Sequence, residues 1–120
     1  MAKELHHPTR EQIDLSAVLD ALSDPIRRQI VLRLSQVDEY ACSTFNEIAS
    51  KTSVSYHLAR LREAGVTRTR IDGPRRMMSL RVEDLEARFP GLLAVILDGA
   101  RAEAPNYGPE RIALEDVLED

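Results

Sequence analysis

The 120-residue chain is long enough for one modest hydrophobic core and too short for two. Its formal charge of −4 excludes a uniformly basic protein. It has neither an apolar run of about 18 residues nor a basic-then-apolar opening, so neither a membrane span nor a secretory signal is expected and the chain reads as cytoplasmic.

Residues 1–8 are polar and end in His6-His7-Pro8, a loose lead-in. Leu15, Val18, Leu19 and Leu22 then recur at i, i+3, i+4 and i+7, which predicts a first helix from about Thr9 to Leu22. Ser23-Asp24-Pro25 marks a restart, with Asp24 able to cap and Pro25 preset for a first helical turn. Ile26, Ile30 and Leu34 form the inner stripe of this second helix, which should run to about Ser35. Arg27, Arg28 and Arg33 are expected on its other faces. Gln36–Ser43 reads as a polar turn. Thr44-Phe45-Asn46-Glu47 matches a capping box ahead of Ile48, so any helix there is little more than one turn long, with Phe45 and Ile48 as its plugs.

The segment from Ser50 to Gly65 is the most informative. Val54, Leu58 and Leu61 make a buried stripe, and the opposite side holds Thr52, Ser53, Tyr56, Arg60 and Glu63. Thr52 or Ser53 can cap its start, and Gly65 stands where a helix ends in positive φ. Strands are expected near Thr67–Ile71 and Met77–Arg81 around the turn Asp72-Gly73-Pro74, giving a basic hairpin. Helix, glycine stop and basic hairpin is the layout of a recognition helix followed by its wing.

Charge is segregated accordingly. Lys51 to Arg81 holds eight basic residues and two acids, a balance of +6 that leaves −10 on the rest of the chain. Phosphate contacts respond to this local field rather than to the total. Val82–Phe89 opens another helix that Pro90 kinks or restarts, and Leu92, Leu93, Ile96 and Leu97 extend an apolar stripe to about Ala100. Pro105-Asn106-Tyr107-Gly108-Pro109 breaks the pattern. The expected organisation is one DNA-binding and dimerisation domain over residues 1–104 and an acidic tail over 105–120.

The segments Leu19–Leu34 (LDALSDPIRRQIVLRL) and Val54–Gly65 (VSYHLARLREAG), with a wing ending in Met78-Ser79-Leu80, resemble the arsenic-repressor (ArsR) family of winged helix-turn-helix regulators over about residues 15–97. The resemblance implies a mainly α fold with a small β hairpin, dimerising through its N- and C-terminal helices. It also implies repressors that leave DNA when an effector binds. Two departures stand out. The helix before the recognition helix is cut short here or replaced by a loop, and Cys42 stands alone where the family's thiol sensors carry paired cysteines. Residues 82–104 hold no His or Cys, unlike the family's C-terminal-helix metal sensors.

The expected DNA-binding residues are Lys51, Thr52, Ser53, Ser55, Tyr56, His57, Arg60, Arg68, Arg70, Arg75 and Arg76. Small Thr and Ser let the first turn approach base edges; Tyr56 and Arg60 reach bases or phosphates; the wing arginines lie along the backbone or minor groove. His57 also suits a hydrogen-bonded place at the edge of the core. Leu15, Val18, Leu19, Leu22, Leu92, Leu93, Ile96 and Leu97 exceed what so small a core can cover and are the expected homodimer interface. No Gly-rich phosphate loop, nucleophile elbow or spaced carboxylate–histidine set supports an enzyme. No metal site or cofactor is expected: Cys42 has no partner thiol, and adjacent His6 and His7 are not a shaped site. The reading is a homodimeric repressor on a two-fold-symmetric duplex, released by a non-metal effector such as a small molecule. The alternative is a winged-helix interaction module that has lost DNA binding.

Overall fold

A computed structural model describes residues 5–47 and 50–107. The helices are α1 (Leu15–Ala21), α2 (Pro25–Leu34), α3 (Lys51–Glu63), α4 (Val82–Arg88) and α5 (Leu92–Glu103). The strands are β1 (Tyr40–Ala41), β2 (Thr67–Asp72) and β3 (Arg75–Leu80). Short 3₁₀ segments occupy Arg10–Gln12, Cys42–Glu47 and Ala104–Tyr107. Ile48 and residues 108–120, most of the expected acidic tail, lie outside the described residues.

The first helix is shorter than its periodicity predicts. Thr9 and Gln12 cap a single 3₁₀ turn, Ile13 is extended, and the Asp14 carboxylate accepts from the Ala17 N–H to start α1 afresh. Extended backbone at Ile13 drops that side chain fully into the core, which a continuous helix would not do. The second helix begins as read: Asp24 accepts from the Ile26 and Arg27 N–H groups, and Pro25 holds the first turn.

The sheet has three strands, not two. β3 pairs antiparallel with β2 along the hairpin and on its other side with β1, where Tyr40 faces Met78, giving the order β1-β3-β2. A two-residue strand carries no alternation to read, so Gln36–Ser43 passes for a turn in the sequence. Phe45, fully buried, packs edge-on to Tyr40 and anchors the 3₁₀ segment that leads to α3.

The core joins α2 (Ile30, Val31, Leu34), α3 (Val54, Leu58, Leu61), Val66, Met78 and Phe45 with Ile13, Val18 and Leu22 from the N-terminal side. Gly65, at φ +86, ends α3; a Cβ there would stand 2.6 Å from the Ile13 side chain, so both conformation and space demand glycine. Gln29 donates to the Ala100 carbonyl at 2.9 Å, and Arg28 forks onto Glu103 at 2.9 and 2.7 Å, fastening α2 to α5.

Candidate nucleic-acid interface

The recognition helix is placed by its own cap and by α2. The Ser50 hydroxyl accepts from the Ser53 N–H at 3.1 Å, so the cap falls two residues before Thr52 and leaves Thr52 and Ser53 inside the first turn. Val54, Leu58 and Leu61 are buried as their spacing predicts. Lys51, Thr52, Ser55 and Tyr56 are exposed, Tyr56 to 59 %, while Ser53 and Arg60 are half-buried. The outer face of the first two turns therefore carries small hydroxyls, one aromatic ring and flanking cations.

His57 belongs elsewhere. It is only 8 % exposed, and its Nδ1 accepts from the Arg27 guanidinium at 3.1 Å. Because Arg can only donate, Nδ1 must be bare and the ring proton must sit on Nε2. Burial, the largest influence, lowers the His57 pKa; nearby Asp24 opposes this and Arg27 adds to it. His57 thus seats α3 on α2 instead of reaching outward.

Arg27 and Arg33, expected on faces of α2 other than its apolar stripe, are also turned inward. Arg27 donates to the Ala21 carbonyl as well as to His57, and Arg33 stacks over Phe45 with 5.8 Å to the ring centroid. Ten residues of α2 are surrounded on most sides, by α1, α3, the sheet and α5, so its polar side chains are drawn into contacts that a single apolar stripe does not foretell.

In the wing Arg68, Arg70, Arg75 and Arg76 are all exposed, but they differ in what they touch. Arg70 forks onto Glu39 at 3.0 and 2.8 Å, which holds the Glu39 carboxyl below its ordinary range. Arg75 and Arg68, both exposed, stand 3.7 and 3.9 Å from Asp72 and the half-buried Asp84, loose pairs worth little against water. On α3, Arg60 pairs with Asp20 of α1. Asp20 and Glu39 lie 40 and 31 residues from their partners, so neighbouring residues in the chain carry no signal of these contacts.

The wing is braced from behind. The His7 Nε2 accepts from the Thr69 N–H at 3.0 Å while its Nδ1 donates to the Leu5 carbonyl, so the lead-in lies against the outer edge of β2. Asp84 receives Arg10 at 2.7 Å and Arg81 at 2.8 Å, and Arg81 also reaches the Pro8 carbonyl. Burial pushes the Cys42 thiol above its ordinary value against the pull of Arg76 and Arg62, which keeps it protonated at neutral pH.

The expected interface residues divide in the same way. Val18, Leu22 and Leu93 are spent in the chain's own core, which corrects their assignment to a free apolar surface. Leu15 and Leu19 remain 45 % exposed, Leu92, Ile96 and Leu97 are half-buried, and Val95, absent from the expected set, is 67 % exposed. Both helices border one small apolar hollow lined by Val18, Leu22, Leu85, Leu92 and Leu93.

An exposed polar helix face beside an antiparallel wing, on a core of short helices, defines a winged helix-turn-helix, a fold that lays its second helix in the major groove. Residues 24–68, from the cap of α2 to the first residues of β2, match the family model described as bacterial regulatory protein, arsR family. The chain is also 37 % identical over 82 residues to an uncharacterized HTH-type transcriptional regulator, YceK, of Bacillus subtilis (strain 168). That match spans 66 % of this chain and 82 % of the relative. The chain belongs to the arsR family and is a DNA-binding transcriptional regulator, not an enzyme. Among the described residues, no helix is long and apolar enough to cross a membrane.

Proposed function

We propose that this regulator is a cytoplasmic homodimeric repressor that reads a two-fold-symmetric duplex and is released by an effector other than a metal ion. The observation that carries the DNA reading is the exposed face of α3, where Thr52, Ser55 and Tyr56 stand clear of the core beside Lys51 and the wing. In this reading Thr52, Ser53 and Tyr56 address base edges, whereas Lys51, Ser55, Arg60 and the wing arginines Arg68, Arg70, Arg75 and Arg76 hold the backbone. The dimer reading rests on Leu15, Leu19 and Val95, large apolar side chains left in water by two helices that meet at one hollow. An interface built from them would be isologous, and reading two half-sites would require it to hold the two α3 helices about one duplex turn apart. The non-metal effector follows from the lone Cys42 and from residues 82–104, which lack His and Cys.

Selection of duplexes from a random pool tests this directly. Enrichment of a motif with two-fold symmetry is the expected result, together with a dimeric mass by sedimentation that Leu19→Glu converts to monomer. The pairing of Arg60 with Asp20 and of Arg70 with Glu39 favours the second reading, an interaction module that no longer needs DNA. Failure to bind any duplex at low salt, where phosphate contacts are strongest, would establish that second reading in place of the first.

A further inference from the structure

A cleft of about 420 Å³ opens between the 3₁₀ segment, the first two turns of α3 and the wing tip. Ala41, Val54 and Leu58 make an apolar floor; Ser43 and Ser55 offer hydroxyls; Lys51, Arg75 and Arg76 rim it with three cations. None of the described residues that line it is acidic. Its volume falls within the range of small-molecule sites, which combine mostly apolar walls with a few placed polar groups. Each part selects for something different. Three cations on one rim favour a phosphate over a neutral group. The floor adds affinity only for a ligand that brings apolar surface of its own.

We propose that this cleft binds a small organic phosphate monoester carrying an apolar body, and that its occupant competes with DNA. The competition rests on the DNA-contact reading of Lys51, Arg75 and Arg76, since a phosphate seated among them would occupy the same cations that hold the duplex backbone. The binding itself does not depend on that reading. Such an occupant would be an effector acting at the DNA-contacting surface, with no need for a conformational signal from the subunit interface.

The test uses phenyl phosphate as probe and inorganic phosphate as control, following backbone amide shifts of the full chain in solution. Saturable shifts at Ser43, Val54, Ser55 and Arg76 are expected, with phenyl phosphate about tenfold tighter than inorganic phosphate because only the former covers the floor. Equal affinity for the two anions, or no shift at these residues, overturns the site. Ser43→Trp, which fills the cleft from the 3₁₀ side, should abolish the saturable shifts, and unchanged binding would place the ligand elsewhere. Should that variant fail to fold, Arg76→Ala decides instead: it should weaken phenyl phosphate about fivefold, a typical loss for one charge-assisted contact, and no change counts against the site. Phenyl phosphate should also raise the midpoint of duplex binding in proportion to its concentration. Simultaneous binding of both ligands would overturn the competition. A chain that binds phenyl phosphate and no duplex would refute the DNA reading while leaving the cleft in place.

Discussion

The arginines of α2 and those of the wing are the same side chain put to opposite uses. Arg27 is 7 % exposed and its guanidinium is consumed by the Ala21 carbonyl and His57, whereas Arg75 and Arg76 are exposed with, among the described residues, at most a loose carboxylate nearby. The difference teaches that positive charge in this family member is available to a phosphate only where the fold leaves it unspent. Arg60, half-buried, and Arg70, exposed, fall between the extremes, held by Asp20 and Glu39.

Breaking the buried side should have the largest effect. Arg27→Ala strands the Ala21 carbonyl and the His57 Nδ1 without a donor, at a cost of about 2–3 kcal/mol in folding stability. Denaturant unfolding would read this. A loss no greater than that of an exposed wing arginine would erase the distinction between the two sets. The contrast is Arg76→Ala, which should leave stability within about 0.5 kcal/mol of the parent.

Next in size comes the split within the exposed side. Tyr56→Ala is expected to cost about 1–3 kcal/mol on the selected duplex and much less on random DNA. Arg76→Ala should instead weaken both duplexes alike and reduce the salt slope by about 1. Identical losses for the two variants on both DNAs would collapse base reading and backbone holding into one role.

Glu39→Gln sharpens the intermediate case. Removing the carboxylate frees Arg70 from its fork, so affinity for random DNA should rise about two- to fivefold and the salt slope should steepen by up to about 1. Unchanged binding would mean that Arg70 does not face DNA at all.

The smallest effect is the dependence on pH. His7 and His57 both have pKa values lowered from the ordinary 6.5, chiefly by burial, so the unfolded chain binds protons that the folded chain does not. Stability is therefore complete above that ordinary value and falls on acidification until each folded value is passed. Asp84, Glu39 and Glu103 are lowered mainly by arginine hydrogen bonds, and their contribution persists above the ordinary carboxyl range and is lost further into acid. In the first window His57→Gln should flatten part of the fall measured by thermal unfolding. A fall of undiminished steepness would remove His57 as a source.

Legibility in the sequence tracked how local the deciding interaction was. The buried stripe of α3, the Asp24-Pro25 start of α2, the Gly65 stop and the hairpin turn were all readable, because each depends on residues within about four positions and on fixed periodicity. The three-strand sheet was not, since Tyr40–Ala41 becomes a strand only by pairing with Met77–Met78. Nor was the break at Ile13, where a continuous apolar pattern hides a capped restart.

By itself, then, the sequence determined the class of fold, the family and which face of α3 is left polar and outward, since all three are written in spacing, capping and charge that a short segment carries alone. Tertiary structure alone decided how each polar side chain is employed: His57 and Arg27 facing each other across α2 and α3, Glu39 on Arg70, Asp20 on Arg60, and Val18, Leu22 and Leu93 inside the core instead of on a free face. These contacts join residues 30 to 40 positions or more apart or depend on how many neighbours surround a helix. A guanidinium or imidazole has the same place in the sequence whether water or another side chain satisfies it; only packing chooses between them.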